Sequence, residues 1–285
     1  MKGARGGPGD WERRLERAEA IPRTPAIAHQ MELLVAVLRH QAARAEVLAE
    51  AAAAIRSEAV ARRLTGRFPL LDLEGAVEPV AAEVVPAVAA LAGRAPRPLG
   101  AAGEELAARP LEEVRALVAA WLDDPSLVEE RLEFWIRVAG APLLELACTG
   151  GADLSRAEWS GAACPACGGP PQTGVIGERS GEFMGGSPRY LVCSRCALWW
   201  GYPRATCVAC GEDNSTRLHS FSEQQRSWVR VDVCDTCRGY VKTFDLREPG
   251  GGDVVPLVDD IATLALDLWA HEQGCARASL SLAGV

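Results

Sequence analysis

Residues 164–168 read Cys-Pro-Ala-Cys-Gly, and the same CxxC spacing returns at Cys193-Ser-Arg-Cys196, Cys207-Val-Ala-Cys210-Gly211 and Cys234-Asp-Thr-Cys237. A CxxC turn is tight enough to aim two sulfurs at one ion. Two such turns supply the four thiolates of a tetrahedral site, about 2.3 Å from a zinc ion. Glycines at 168, 211 and 239 suit the left-handed backbone such knuckles need. One pair alone would be weak evidence, but four in succession point to two metal ions. Their candidate ligands are Cys164, Cys167, Cys193, Cys196, Cys207, Cys210, Cys234 and Cys237. Sequential pairing leaves 25 residues between the half-sites of the first site and 23 in the second, which favours two related hairpin-like units. An interleaved arrangement stays open, because only ten residues separate Cys196 from Cys207.

The chain holds ten cysteines, and eight of them repeat this one spacing after a long cysteine-poor region. That distribution favours metal ligation in a reducing compartment over a secreted disulfide scaffold. Tetrahedral thiolate sites accept zinc or a single iron, so the ligands do not choose the metal. A closed four-cysteine site has no open position for a hydrolytic water. Thioredoxin-like exchange would need a free, low-pKa pair. The expectation is a non-catalytic protein.

Working outward, residues 1–24 are rich in Gly, Arg and Pro and read as a flexible leader. Residues 25–150 read as an α-helical domain. Leu33, Val37 and Leu48 recur near helical spacing between 25 and 64, with Gly66 and Pro69 as stops. Further helices are expected at 77–92, where Pro86 should shorten or bend the element, at 110–121, and at 126–147, bent at Gly140 and Pro142. A turn to Gly, Ser and polar residues at 149–162 marks the boundary. Residues 151–285 form the metal-binding domain, with strands at 171–176, 189–193, 228–233 and 240–245. A closing helix at 257–273 should bury Leu257, Ile261, Leu264, Ala265 and Leu268 on one face. The fold class is α+β: a helical N-terminal domain, two small rubredoxin-like or zinc-ribbon-like four-cysteine modules, and a C-terminal helix.

The formal charge of −8 argues against bulk attraction to nucleic acid. No uninterrupted apolar run reaches the ~18–20 residues of a membrane span. The N-terminus lacks the apolar core of an export signal, and the cytoplasm is the expected location. Trp199, Trp200, Tyr202 and Trp228, with Arg195, Arg204 and Arg230, could in principle form a base-stacking surface. Seven Arg against seven Asp or Glu between 164 and 237 weaken that reading.

The motifs resemble the accessory proteins required for formation of active formate dehydrogenase. The likeness runs from 164 to about 278. It includes the cysteine pairs, Arg189-Tyr-Leu-Val-Cys193, Trp200, Arg204, Val231-Asp-Val-Cys234, Tyr240-Val-Lys242 and Asp259-Asp-Ile-Ala-Thr-Leu-Ala-Leu-Asp267. The resemblance implies a cytoplasmic maturation factor that binds the catalytic subunit of formate dehydrogenase. It favours iron at the two sites, with zinc the alternative. Trp199, Trp200, Arg204, Asp232 and Lys242 become candidate partner contacts or supports of the metal sites. Two positions depart from the family: Leu198-Trp199-Trp200 replaces a usual Thr-Glu-Trp, and Asp232 replaces a usual glutamate. Two other readings stay in view, a zinc-ribbon nucleic-acid-binding protein and a rubredoxin-like electron carrier.

Overall fold

The computed structural model describes residues 6–149, 158–177 and 187–282. Seven helices precede the sheet: α1 (Trp11–Ala20), α2 (Ala28–Arg56), α3 (Ala59–Leu64), α4 (Leu73–Leu91), α5 (Arg97–Ala107), α6 (Leu111–Asp123) and α7 (Glu130–Cys148). The long segment from 25 to 64 resolves into the pair α2 and α3. Helix α4 runs unbroken through Pro79 and Pro86, so neither proline shortens it. Burial of Val80, Val84 and Val88 against the bundle outweighs the hydrogen bonds the prolines remove. Leu73–Arg94 has the length and composition of a membrane-crossing helix. It nonetheless packs against α2, α6 and α7 and binds Arg44 through Glu83 at 2.6 Å, as a core helix does.

Within the stretch expected as a leader at 1–24, residues 11–20 form helix α1. Asp10 caps α1 by accepting from the Arg13 amide, and Trp11 and Ala18 are buried. Arg14 reaches Glu145 of α7 at 2.9 Å in a buried pair. Arg17 reaches Asp259 at 2.6 Å, tying the first helix to the far end of the chain. Residues 1–5 and most of the expected boundary at 149–162 lie outside the described residues.

Helix α5 was not expected, since Pro98, Gly100 and Gly103 depress helix propensity. Gly103 is required by packing: a Cβ there would lie 2.4 Å from the Trp135 indole. Helix α7 continues through Gly140 and Pro142 and is buried along most of its length.

The second half is one sheet of β1 (Pro171–Ile176), β2 (Arg189–Cys193), β3 (Trp199–Gly201), β4 (Leu218–Ser222), β5 (Val229–Cys234), β6 (Gly239–Asp245) and β7 (Ala276–Arg277). The order is β3-β2-β1-β6-β5-β4, with β7 added to β6. Two antiparallel three-stranded units, β1–β3 and β4–β6, therefore meet through the parallel β1–β6 pair, Thr173 opposite Lys242 to Ile176 opposite Asp245. The first strand of one unit joins the third strand of the other, so the junction is head-to-tail.

The closing helix is two helices, α8 (Pro256–Ala262) and α9 (Leu264–Glu272). The break is at Thr263, whose hydroxyl donates to the Asp259 carbonyl at 2.8 Å. This break turns the face: Ala265 and Leu268 are exposed, and Asp267 points inward instead.

Candidate metal centres

Each unit gathers four sulfurs, and in each the half-sites pair sequentially. Cys164, Cys167, Cys193 and Cys196 form site one, and Cys207, Cys210, Cys234 and Cys237 form site two, every sulfur within 4.8 Å of its group. Three sulfur pairs of site one stand 3.4–3.6 Å apart, and Cys207–Cys237 and Cys210–Cys234 of site two each stand 3.8 Å apart. A tetrahedron with metal–sulfur bonds of about 2.3 Å has sulfur–sulfur edges of roughly 3.8 Å, so both donor sets fit a four-thiolate ion. These spacings are far beyond a disulfide bond of about 2.05 Å.

The knuckles repeat one construction. The amides of Cys164 and Cys207 donate to the carbonyls of Gly169 and Glu212, both at 2.8 Å. The residue after each second cysteine is left-handed: Gly168, Ala197, Gly211 and Arg238. Gly239 is thus one position past the left-handed residue. It has a different use, since a Cβ there would lie 3.0 Å from the Cys237 sulfur. Ala197 and Arg238 hold a conformation that L-residues avoid, which the surrounding turn must over-determine. Backbone amides of Arg195, Ala209 and Gly239 donate to the sulfurs of Cys193, Cys207 and Cys237 at 3.3–3.4 Å, and so favour thiolate charge.

The two sites differ in setting. The site one cysteines are at most 1% exposed and belong to the core shared with the helices. The amides of Leu70 and Leu71 donate to the knuckle carbonyls of Pro165 and Ala166, both at 3.0 Å. Arg195, inside the second knuckle, is buried, donates to the Leu122 carbonyl at 3.0 Å and lies 4.7 Å over the Trp121 ring. Cys148, at the end of α7, is buried in the same core as these cysteines. In the thiol form, burial pushes Cys164 and Cys196 well up. Burial opposes charge at Cys193 too, but hydrogen bonds from the neighbouring thiols bring it well below the ordinary value. In site two, Cys207 and Cys234 are buried while Cys210 and Cys237 are exposed. Although Cys237 is exposed as a residue, partial desolvation of its sulfur, with the neighbouring Cys210 and Cys207 thiols, pushes the thiol up to about 12.

Most of the candidate partner contacts turn inward. Trp199 and Trp200 are buried, the latter donating to the Gly161 carbonyl at 3.1 Å. With Tyr202 and Arg195 also buried, the base-stacking surface is not assembled, because these rings complete a core that three-stranded units cannot fill otherwise. Lys242 is fully buried and cannot meet a partner. Its ammonium pairs with Asp260 at 2.9 Å and with Asp267, and accepts no water-facing role. Arg277 binds the same two carboxylates at 2.6 and 3.1 Å, Gln172 donates to Asp260 at 2.6 Å, and Tyr240 donates to Asp267 at 3.0 Å. This cluster rivets α8, α9 and β7 onto β1 and β6, across the junction of the two units. Sequence reasoning quoted the Asp259–Asp267 motif but did not find Arg277 or Gln172, which lie at no informative spacing. Arg204 remains exposed, and Asp232 is partly buried among Arg230, Ser220 and Thr243 at 2.6–2.9 Å. His219 pairs with Asp235 at 2.8 Å, away from any metal-ligand role.

Comparison with known proteins agrees with this arrangement. The family described as FdhE, central domain, matches residues 163–204, and FdhE, C-terminal domain, matches residues 205–283. The protein FdhE homolog of Aquifex aeolicus is 29% identical over 181 residues, covering 64% of this chain and 62% of that protein. The Pseudomonas aeruginosa homolog is 38% identical over 123 residues, 42% of this chain and 38% of that protein. The matched segments therefore span less than two thirds of these relatives. The crystal structure of the FdhE protein from Pseudomonas aeruginosa superposes with a TM-score of 0.68 at 26% identity, over 98% of this chain and 96% of that one.

Proposed function

We propose that the chain is a member of the formate dehydrogenase formation family, to whose domains residues 163–204 and 205–283 are similar, and that it is a cytoplasmic, non-catalytic accessory factor in the maturation of formate dehydrogenase. It acts by binding the catalytic subunit of that enzyme. One observation carries the reading: all eight knuckle cysteines fall in the segments similar to FdhE domains, and they converge as two four-sulfur sites.

Both sites hold iron in this reading. Such an ion would supply one-electron exchange while it staples the fold. Site one, sealed by Arg195, Cys148 and the α4 approach, has a structural role. Site two presents Cys210 and Cys237 to solvent, where a partner can come within electron-transfer reach. The Gly239 amide holds the exposed Cys237 sulfur, and the Ala209 amide holds the buried Cys207 sulfur behind it.

Affinity capture of the formate dehydrogenase catalytic subunit by the purified full chain tests the reading. Protein prepared without oxygen should yield a stable complex and a thiolate-to-iron absorption band that bleaches on reduction. Absence of any complex in assembly-competent cells would refute the accessory role. Two equivalents of zinc from an anaerobic preparation would refute the iron assignment alone.

A further inference from the structure

A cavity of about 190 Å³ lies beside site two, between the 204–208 link and the face of β4, β5 and β6. We propose that it binds a small monocarboxylate. The site is distinct from the client-binding reading and stands or falls without it.

Three guanidinium groups, Arg189, Arg204 and Arg230, line this cavity against a single carboxylate, Asp232. Their donors are incompletely used. Arg189 is 5% exposed. One of its terminal nitrogens donates to the carbonyls of Pro203, Arg204 and Thr206 at 3.0–3.3 Å, which holds the link over the cavity. Its other terminal nitrogen stands 3.8 Å from Asp232, beyond hydrogen-bond length, and its Nε has no partner among the described residues. Burial lowers its pKa from the ordinary arginine value, and Asp232 only partly opposes this. Arg230 spends its Nε on Asp232 at 2.9 Å, and Arg204 gives one nitrogen to the Ser187 carbonyl at 3.2 Å.

A buried cation with unmet donors costs free energy, and an oxyanion supplies both charge and acceptors. The planar fork of arginine matches the two oxygens of a carboxylate. Charge then selects among anions. Three guanidiniums and one carboxylate leave a surplus of two positive charges. Cys207 and Cys234 form part of the same wall, and a divalent ion in four thiolates carries roughly −2 in total. That neighbour discourages a dianion, so a monoanion is the better fit. The volume is at the low end for ligand pockets, below the ~300 Å³ of a drug-sized site.

Calorimetric titration of the metal-loaded full chain with sodium acetate and sodium formate, against sodium chloride at matched ionic strength, tests the assignment. Saturable binding of a carboxylate in the millimolar range or tighter is expected. Arg230→Gln should weaken it roughly tenfold or more, the loss of one charge-assisted hydrogen bond. Arg230→Lys, which keeps the charge and loses the fork, should weaken it less. Metal content equal to wild type establishes that both variants are folded, and Arg204→Gln replaces any that is not. The proposal is overturned if neither carboxylate binds above the chloride reference. It is equally overturned if folded variants retain wild-type affinity, or if inorganic phosphate at alkaline pH binds more tightly than both carboxylates.

Discussion

Replacing Lys242 with methionine should destabilise the protein by about 3–5 kcal/mol, because it leaves one buried negative charge uncompensated. Lys242, Arg277, Asp260 and Asp267 are each at most 4% exposed, so the four charges balance with almost no help from water. Methionine preserves much of the volume but leaves two carboxylates to one guanidinium. Asp260 keeps Arg277 and Gln172, whereas Asp267 keeps the longer Arg277 contact and Tyr240. Urea unfolding of the metal-loaded protein, followed by circular dichroism, gives the difference directly. Adding Asp267→Asn restores neutrality, so the double variant should recover at least about 1 kcal/mol of the loss. The pH dependence has a definite sign. Burial works against ionisation of Asp260, but Arg277 and Lys242 hold its pKa down to about 2 from 3.8. Its stabilising contribution is complete above about pH 4 and is lost as pH falls through about 2. Lys242→Met removes part of that contribution, so the gap between wild type and variant should narrow over the same interval. A cost below about 1 kcal/mol, or a double variant no more stable than the single, would refute the account of the cluster as a balanced buried network.

Further outcomes follow from the packing. A thiol-competing chelator should remove the ion of site two well before that of site one, since Cys210 and Cys237 are exposed while site one is sealed. Release of both ions in a single kinetic phase, followed by colorimetric metal assay, would contradict the difference in burial. Gly103→Ala should destabilise the helical half by about 1–3 kcal/mol through overpacking against Trp135. An unchanged melting temperature would show that the indole can move aside freely.

The eight cysteines and the strands that carry them were legible because CxxC spacing is a local requirement: the turn and its two sulfurs are contiguous in sequence. Strands β1 and β2 end at their expected positions for the same reason, each being tethered to a knuckle. Strand β4 was not legible, since Leu218–Ser222 is an exposed edge with little apolar alternation. The single closing helix was misread because its apolar spacing ignores Thr263. The break there exchanges Leu268 for Asp267 on the buried face, and only a cation already waiting inside makes that exchange favourable.

Sequence by itself therefore determined the eight donors, the helical-then-sheet order and the resemblance to the formate dehydrogenase formation family, whereas the sequential grouping of the donors came from the structure. Tertiary structure alone decided that one site is sealed and the other open, and that Lys242 is a rivet instead of a contact. Only it could show that three arginines from separated segments face one cavity. Ligand spacing is written along the chain, whereas burial and charge balance depend on which distant segments arrive at the same place.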